Sequence, residues 1–170
     1  MTVRGNMYRE FESLSLRHKM RIILFFNNFK GIYVYRALKR KNYKILKIFL
    51  SYKNLNRKII KELNKNKINY QIIRRKKFNS LNLEIKKLSP DLNIIAGFPY
   101  IFPKKLISTA KLGTINLHSG ALPNYRGGSP LSWQIINNEK FIKFAIIKIN
   151  KGIDTGNIIV NDKFKLKFDY

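Results

Sequence analysis

The residue types best suited to chemistry lie in two short stretches of the carboxyl-terminal half of the chain. Asn116 and His118 are two residues apart at the end of an apolar run, and Asp154 lies in a turn between Gly152 and Gly156. Residues two apart in an extended strand point to the same side, so the amide and the imidazole can share one cavity. An amide can donate a hydrogen bond to an oxygen that gains negative charge, and an imidazole can move a proton near neutral pH. These two properties suit acyl transfer to an amine.

A carboxylate completes this arrangement. The chain contains only four aspartates, and Asp154 is the one that lies in a glycine-bounded turn. Near His118 it would favour the imidazolium electrostatically and orient either the ring or a water that relays protons. Each part alone has a simpler explanation, because Asn, Asp and Gly are common in turns for backbone reasons. It is the combination that indicates a catalytic site.

The segments that must position these residues alternate between short apolar runs and amphipathic stretches. The apolar runs predict strands at residues 21–26, 44–50, 68–74, 92–96, 114–117, 144–149 and 157–160. The amphipathic stretches predict helices at residues 32–41, 55–66, 81–88, 103–110 and 130–138, the last with Leu131, Ile135 and Ile136 on its buried side. This alternation predicts an α/β fold with a doubly wound, mainly parallel sheet, which binds ligands beyond the carboxyl ends of its strands.

The domain organisation follows from length and from the first residues. At 170 residues the chain can enclose one core, and we assign residues 20–170 to a single domain. Residues 1–19 are polar and lack the apolar centre of a secretory signal, so we expect an upstream extension, disordered or weakly helical, without a part in the chemistry. The chain ends soon after its last predicted strand, which leaves open a truncation of the catalytic domain.

Composition narrows the class of protein. The net charge of +26 would ordinarily indicate an acidic partner such as nucleic acid, but lysine is spread over solvent-facing positions, so we interpret most of this charge as a solvated surface. The absence of cysteine excludes disulfides and thiol nucleophiles and fits a reducing compartment, so we expect a cytoplasmic protein. No apolar run approaches the roughly 20 residues that span a bilayer, and the histidines and carboxylates show no metal-ligand spacing. We therefore expect neither membrane insertion nor a metal site.

The motif Asn-x-His, followed by Leu-Pro-x-Tyr-Arg-Gly-x-x-Pro and then by Gly-x-Asp-Thr-Gly, resembles the catalytic domain of the folate-dependent formyltransferases. That family includes enzymes that act on methionyl-tRNA, on glycinamide ribonucleotide and on amino-sugar nucleotides. The resemblance is densest over residues 113–156. It implies a Rossmann-like formyltransferase fold, N10-formyltetrahydrofolate as the formyl donor, and Asn116, His118 and Asp154 as the catalytic residues.

The resemblance also implies roles. Asn116 would stabilise the oxyanion, His118 would manage the protons of the amine and the intermediate, and Asp154 would position His118 or a relay water. The pterin of the folate would lie between two loops, and the implied cofactor-binding residues are Gly97, Phe98, Pro99, Tyr100, Ile101, Ile153, Thr155 and Gly156. The implied substrate-binding residues are Ser119, Leu122, Pro123, Tyr125, Arg126 and Gly127. Phe98 and Ile101 can equally belong to the core.

Two further features bear on the acceptor amine. The family pattern commonly has serine two residues after the histidine, where this chain has Gly120, and residues 25–31 lack the glycine-rich phosphate loop expected of the glycinamide ribonucleotide enzyme. Arg126 and the basic surface can meet a nucleotide diphosphate or tRNA phosphates. We favour a nucleotide-linked amino sugar as the acceptor, and a methionyl-tRNA formyltransferase is the alternative enzyme. A truncated, non-catalytic remnant that binds folate or a nucleotide is the alternative from another class.

Overall fold

A computed structural model describes residues 19–165, in which seven strands form one sheet in the order β3-β2-β1-β4-β5-β6-β7. The strands are β1 Arg21–Phe26, β2 Lys44–Ser51, β3 Gln71–Ile73, β4 Leu92–Ala96, β5 Thr114–His118, β6 Phe141–Lys148 and β7 Asn157–Lys165. The helices are α1 Phe29–Arg40, α2 Arg57–Lys65, α3 Arg75–Phe78, α4 Asn82–Leu88, α5 Lys104–Ile107 and α6 Pro130–Ile136. Apart from Lys19, the predicted amino-terminal extension lies outside the described residues.

The sheet is parallel from β3 to β5, while β6 runs antiparallel to both β5 and β7. This arrangement confirms the predicted α/β fold with a doubly wound, mainly parallel sheet. Strands β1 and β4 have the predicted bounds, whereas β3 is shorter than predicted and the short helix α3 was not predicted. Within residues 19–165, no helix has the length and apolar character needed to cross a membrane.

The core explains why β1 is apolar at every position from Ile22 to Phe26. Ile22, Leu24 and Phe26 of β1 pack on one face of the sheet with α1 and α2, while Ile23 and Phe25 pack on the other face with α3, α4 and α5. A parallel strand covered on both faces reads as a continuous apolar run rather than an alternating one. Each fully buried side chain of this kind contributes about 1.5–3 kcal/mol. The carboxyl end of β1 is thereby fixed next to β4, which in turn pairs with β5.

Helix α6 begins at a proline as predicted, but the prediction of its buried side was wrong. The three apolar residues assigned to that side are exposed: Leu131, Ile135 and Ile136. The buried residue of this helix is Gln134, whose Nε2 donates hydrogen bonds to the carbonyl oxygens of Ser119 (3.0 Å) and Lys143 (3.1 Å). The amide of Lys143 donates in return to Gln134 Oε1 at 2.8 Å. A satisfied buried amide, rather than an apolar stripe, joins this helix to the end of β5.

Candidate active site

Strand β5 and the β6–β7 loop bring the three predicted catalytic residues together. Asn116 Nδ2 donates a hydrogen bond to Asp154 Oδ1 at 3.3 Å, and His118 Nδ1 lies 3.3 Å from Asp154 Oδ2. The side chains of His118 and Asp154 are only 5% and 13% exposed. One carboxylate thus contacts both residues of the Asn-x-His motif, as their spacing of two along a strand requires.

The β6–β7 loop, which carries Asp154, approaches the Asn-x-His motif from the amino end of β5. Because β6 is antiparallel to β5, the loop leaves the sheet near the amino end of β5, where Ile115 pairs with Lys148. Asn150 then closes the loop, since its Oδ1 accepts hydrogen bonds from the amide of Gly152 at 3.0 Å and from Thr155 Oγ1 at 2.7 Å. Sequence reasoning missed Asn150, although an asparagine two residues before a glycine is a recognisable turn signal.

Both nitrogens of the His118 ring face acceptor oxygens. Nε2 lies 2.5 Å from the backbone oxygen of Tyr125, while Nδ1 faces Asp154. Only the protonated imidazole has two N–H donors, so this arrangement satisfies the imidazolium. The amide of Gly127 donates to Asp154 Oδ2 at 2.9 Å, so the loop that contains Tyr125 and Gly127 contacts both the histidine and the carboxylate. A substrate that uses Nε2 must therefore displace the Tyr125 carbonyl.

Gly120 lies beside the His118 ring, at the start of the loop that contains Tyr125 and Gly127. A Cβ atom at this position would lie 2.7 Å from His118 Nε2, 2.6 Å from the oxygen of Tyr125 and 2.7 Å from Pro130 Cβ. Any side chain would have to push the loop or the ring away. The residue that departs from the common family pattern is thus the one that permits the observed contact between Tyr125 and His118.

Lys30, in the first turn of α1, also belongs to the site. Its Nζ donates to the carbonyl oxygen of Leu117 at 2.8 Å and to Ser119 Oγ at 3.0 Å. Burial lowers the pKa of Lys30 below its ordinary value, and the negative charge of Asp154 opposes this shift. Sequence reasoning missed Lys30, and its position just after β1, at the ligand-binding edge of the predicted sheet, was the signal available.

A cavity of about 970 Å³ opens beside these residues. Six of the predicted cofactor-binding residues line it: Gly97, Phe98, Pro99, Tyr100, Ile101 and Ile153. Two of the predicted substrate-binding residues line it as well: Ser119 and Gly127. The remaining predicted binding residues do not line it: Leu122, Pro123, Tyr125, Arg126, Thr155 and Gly156. Its size suits a small-molecule ligand, and the binding roles of these residues remain predictions.

The apolar side of the cavity separates into packed and exposed residues. The ring of Phe98 lies 5.5 Å from that of Phe25 and 5.4 Å from that of Phe78, so Phe98 belongs largely to the core. Ile101 and Ile153 are instead 61% and 56% exposed. The two alternatives left open by the sequence therefore divide, with Phe98 packed inward and Ile101 at the cavity mouth.

Comparison with known proteins agrees with this fold. The formyl transferase family model matches residues 20–170. The chain belongs to this family, and the family predicted from the sequence is confirmed.

Two curated methionyl-tRNA formyltransferases illustrate the similarity in sequence. The one from Clostridium tetani is 42% identical over 83 residues, which are 49% of this chain and 27% of that protein. The one from Clostridium beijerinckii is 39% identical over 97 residues, which are 57% of this chain and 32% of that protein. The matched region thus spans less than a third of the length of these relatives.

Solved structures show the same fold at lower sequence identity. Glycinamide ribonucleotide transformylase 1 from Geobacillus kaustophilus has a TM-score of 0.74 and 16% identity, with 90% of this chain and 86% of that chain covered. A formyltetrahydrofolate deformylase from Pseudomonas syringae pv. tomato has a TM-score of 0.72 and 15% identity, with 98% and 61% covered. The comparison therefore extends the fold over most of the chain.

Proposed function

We propose that this protein transfers a formyl group from N10-formyltetrahydrofolate to a primary amine. The observation that carries the proposal is the contact of Asp154 with both Asn116 and His118 at a cavity large enough for a folate headgroup. Membership of the formyl transferase family supports both the reaction and the donor.

The two sides of the cavity suit the two parts of the donor. The exposed side chains of Ile101 and Ile153 offer apolar contact for a flat pterin ring, and backbone groups of the loop at Gly97 can pair with its polar edge. The reactive formyl group would then lie toward Asn116 and His118. In this placement the donor contacts both predicted cofactor-binding loops.

The reaction follows from what each side chain can donate. The acceptor nitrogen forms a bond to the formyl carbon, and the formyl oxygen gains negative charge that the Asn116 amide and the His118 imidazolium can stabilise by hydrogen bonds. Collapse of this intermediate breaks the bond between the formyl carbon and N10 of the folate. The His118 imidazolium gives its proton to N10 as this bond breaks and then takes up the proton lost by the amine, so atoms and charge balance and His118 returns to its starting state. Asp154 stabilises the imidazolium and fixes its orientation throughout.

For the acceptor, methionyl-tRNA is the first candidate. The curated relatives described above are methionyl-tRNA formyltransferases, and a net charge of +26 favours an acceptor rich in phosphate. A nucleotide-linked amino sugar, which the sequence favoured, stays a prediction and is the second candidate. It is supported by residues 27–31, which carry polar residues and one glycine where the glycinamide ribonucleotide enzyme is expected to have a glycine-rich phosphate loop.

The test measures release of tetrahydrofolate from N10-formyltetrahydrofolate with charged methionyl-tRNA or with a panel of nucleotide-linked amino sugars. We expect turnover with one acceptor class, and a loss of about 10²–10⁴-fold in kcat for His118→Ala and for Asp154→Asn. Asp162→Asn, on exposed strand β7, is the matched control and should retain activity. No turnover by the parent chain with any of these acceptors would contradict the proposal and favour a non-catalytic binding protein. Unchanged rates in both variants would contradict the assignment of His118 and Asp154 as catalytic residues.

A further inference from the structure

Lys30 is the only lysine or arginine that lines the cavity within the described part of the chain. Its two acceptors, the carbonyl oxygen of Leu117 and Ser119 Oγ, belong to the residues on either side of His118. These contacts join α1 to the end of β5 across 87 positions of sequence. The ammonium therefore holds the chain on both sides of the imidazole rather than touching the ring itself.

The core fixes where this ammonium lies. Helix α1 packs so closely on β1 that a Cβ atom at Gly31 would lie 2.0 Å from the ring of Phe26, which is fully buried. The backbone next to Lys30 therefore has little freedom to move away from β5. Ser119 is held from the opposite side as well, because its carbonyl oxygen accepts from Gln134. The segment that carries His118 is thus fixed between α1 and α6.

We propose that Lys30 is a positioning residue of the formyl-transfer site, holding the backbone on both sides of His118 so that the imidazole stays against Asp154. The proposal rests on the function proposed above and adds a residue that the Asn-x-His motif does not contain. A charged donor makes stronger hydrogen bonds than a neutral one, so the role requires a cation at this position. Loss of the side chain would also leave the Leu117 carbonyl and the Ser119 hydroxyl without this donor.

The charges around Lys30 bear on the test. The other titratable groups that line the cavity, from the β4–α5 loop, β5 and the β6–β7 loop respectively, are Tyr100, His118 and Asp154. Asp154 is the negative charge that opposes the effect of burial on the pKa of Lys30. Because that pKa lies below 10.5, the ammonium loses its proton at a lower pH than an exposed lysine does.

The kinetic test compares Lys30→Met, Lys30→Arg and the control Lys39→Met, an exposed lysine in the last turn of the same helix. We expect Lys30→Met to lower kcat about 10- to 100-fold with the donor KM changed less than about two-fold, and Lys30→Arg to recover most of kcat. The parent kcat should fall with alkaline pH before 10.5, and Lys30→Arg should lack this fall because a guanidinium stays charged. An effect of Lys30→Met on KM alone, or equal losses in the Arg and Met variants, overturns the proposal.

A second measurement does not depend on turnover. The chain has two histidines, so in a His18→Asn background the imidazole nitrogen signals of a ¹⁵N-histidine-labelled protein report on His118 alone. We expect Lys30→Met to move these signals, Lys30→Arg to retain the parent positions and Lys39→Met to change nothing. Lys30→Gln replaces Lys30→Met if the latter does not fold. Unchanged signals in the neutral variant overturn the role of Lys30, whereas a parent that moves no formyl group defeats the proposed function alone.

Discussion

The two walls of the cavity are built in different ways. On the polar wall, Asn116 and His118 both contact Asp154, and Lys30 holds the backbone on both sides of the histidine. On the apolar wall, the aromatic rings pack into the core while Ile101 remains 61% exposed. One wall is held by directional bonds between distant segments, and the other offers open contact area.

This difference predicts separate roles for the two walls, one in catalysis and one in binding the donor. The contacts of Asp154 with Asn116 and His118 are already formed in the folded protein. Once a substrate has displaced the Tyr125 carbonyl from His118 Nε2, the polar wall therefore suits stabilisation of the transition state. Exposed apolar area gains free energy only when a ligand covers it. Substitutions on the polar wall should therefore change kcat, and substitutions at the mouth of the apolar wall should change the KM of the donor.

The largest effect on this comparison should come from Asn116→Ala. In the proposed reaction the Asn116 amide donates to the formyl oxygen as it gains charge, so we expect its removal to lower kcat about 10²–10³-fold with the donor KM within about three-fold. Steady-state rates at varied donor concentration measure both constants. Asn161→Ala on exposed β7 is the control. A higher KM with unchanged kcat would assign Asn116 to donor binding and remove it from the chemistry.

Gly120→Ala should lower both stability and kcat, and its effect on kcat should be smaller than that of Asn116→Ala. Its Cβ atom would meet His118 Nε2 and the oxygen of Tyr125, so we expect about 1–3 kcal/mol less stability and roughly ten-fold lower kcat. Gly128→Ala is a close control, because a Cβ atom there meets nothing within 4 Å. Urea unfolding and initial rates measure the two effects. Equal behaviour of the two alanine variants would show that the loop tolerates a side chain next to the histidine.

Ile101→Ser tests the apolar wall. The side chain is exposed, so its loss should leave stability nearly unchanged, while the donor KM rises about five-fold, or about 1 kcal/mol of lost apolar contact. The kcat should stay within about two-fold of the parent. Ile136→Ser, at an exposed isoleucine that does not line the cavity, should leave both constants unchanged. A loss of kcat in Ile101→Ser would contradict the predicted separation of catalysis and donor binding between the two walls.

The smallest effect concerns stability against pH. Because the pKa of folded Lys30 lies below 10.5, the unfolded chain binds more protons at this side chain than the folded chain does at pH values between the two. Stability from this group therefore rises with pH in that window. Urea unfolding of the parent and of Lys30→Met from pH 8 to 10.5 should show the difference moving in favour of the parent. A difference independent of pH would mean that Lys30 is not desolvated.

Local patterns predicted what depends on local structure. The run at β1 and the spacing of Asn116 and His118 required only strand geometry, and the structure agrees with both. The packing of α6 could not be predicted in this way. Gln134 is buried because it forms hydrogen bonds with backbone groups of Ser119 and Lys143, which lie outside the helix. An apolar stripe gives the ordinary buried face of a helix, and here satisfied polar groups replaced it.

Long-range contacts set the other limit. Lys30 reaches β5 only because the sheet places β1, β4 and β5 side by side, and periodicity within α1 carries no trace of that contact. The two antiparallel strands at the end of the sheet likewise follow from pairing between β5 and β6, which the apolar run at residues 141–148 does not encode by itself. The motif therefore predicted the candidate reacting groups, and the fold was needed to show what holds them.

The close contact between Gly31 and Phe26 gives a way to sort homologues. A relative with a phenylalanine at the equivalent of position 26 and any side chain at position 31 must move the start of its first helix away from the first strand, since a Cβ atom there would lie 2.0 Å from the buried ring. A lysine one position earlier would then no longer reach the strand that carries the histidine. In relatives with this phenylalanine, a lysine that holds the strand of the histidine should therefore be followed by glycine, so two adjacent letters mark which family members share this way of holding the site.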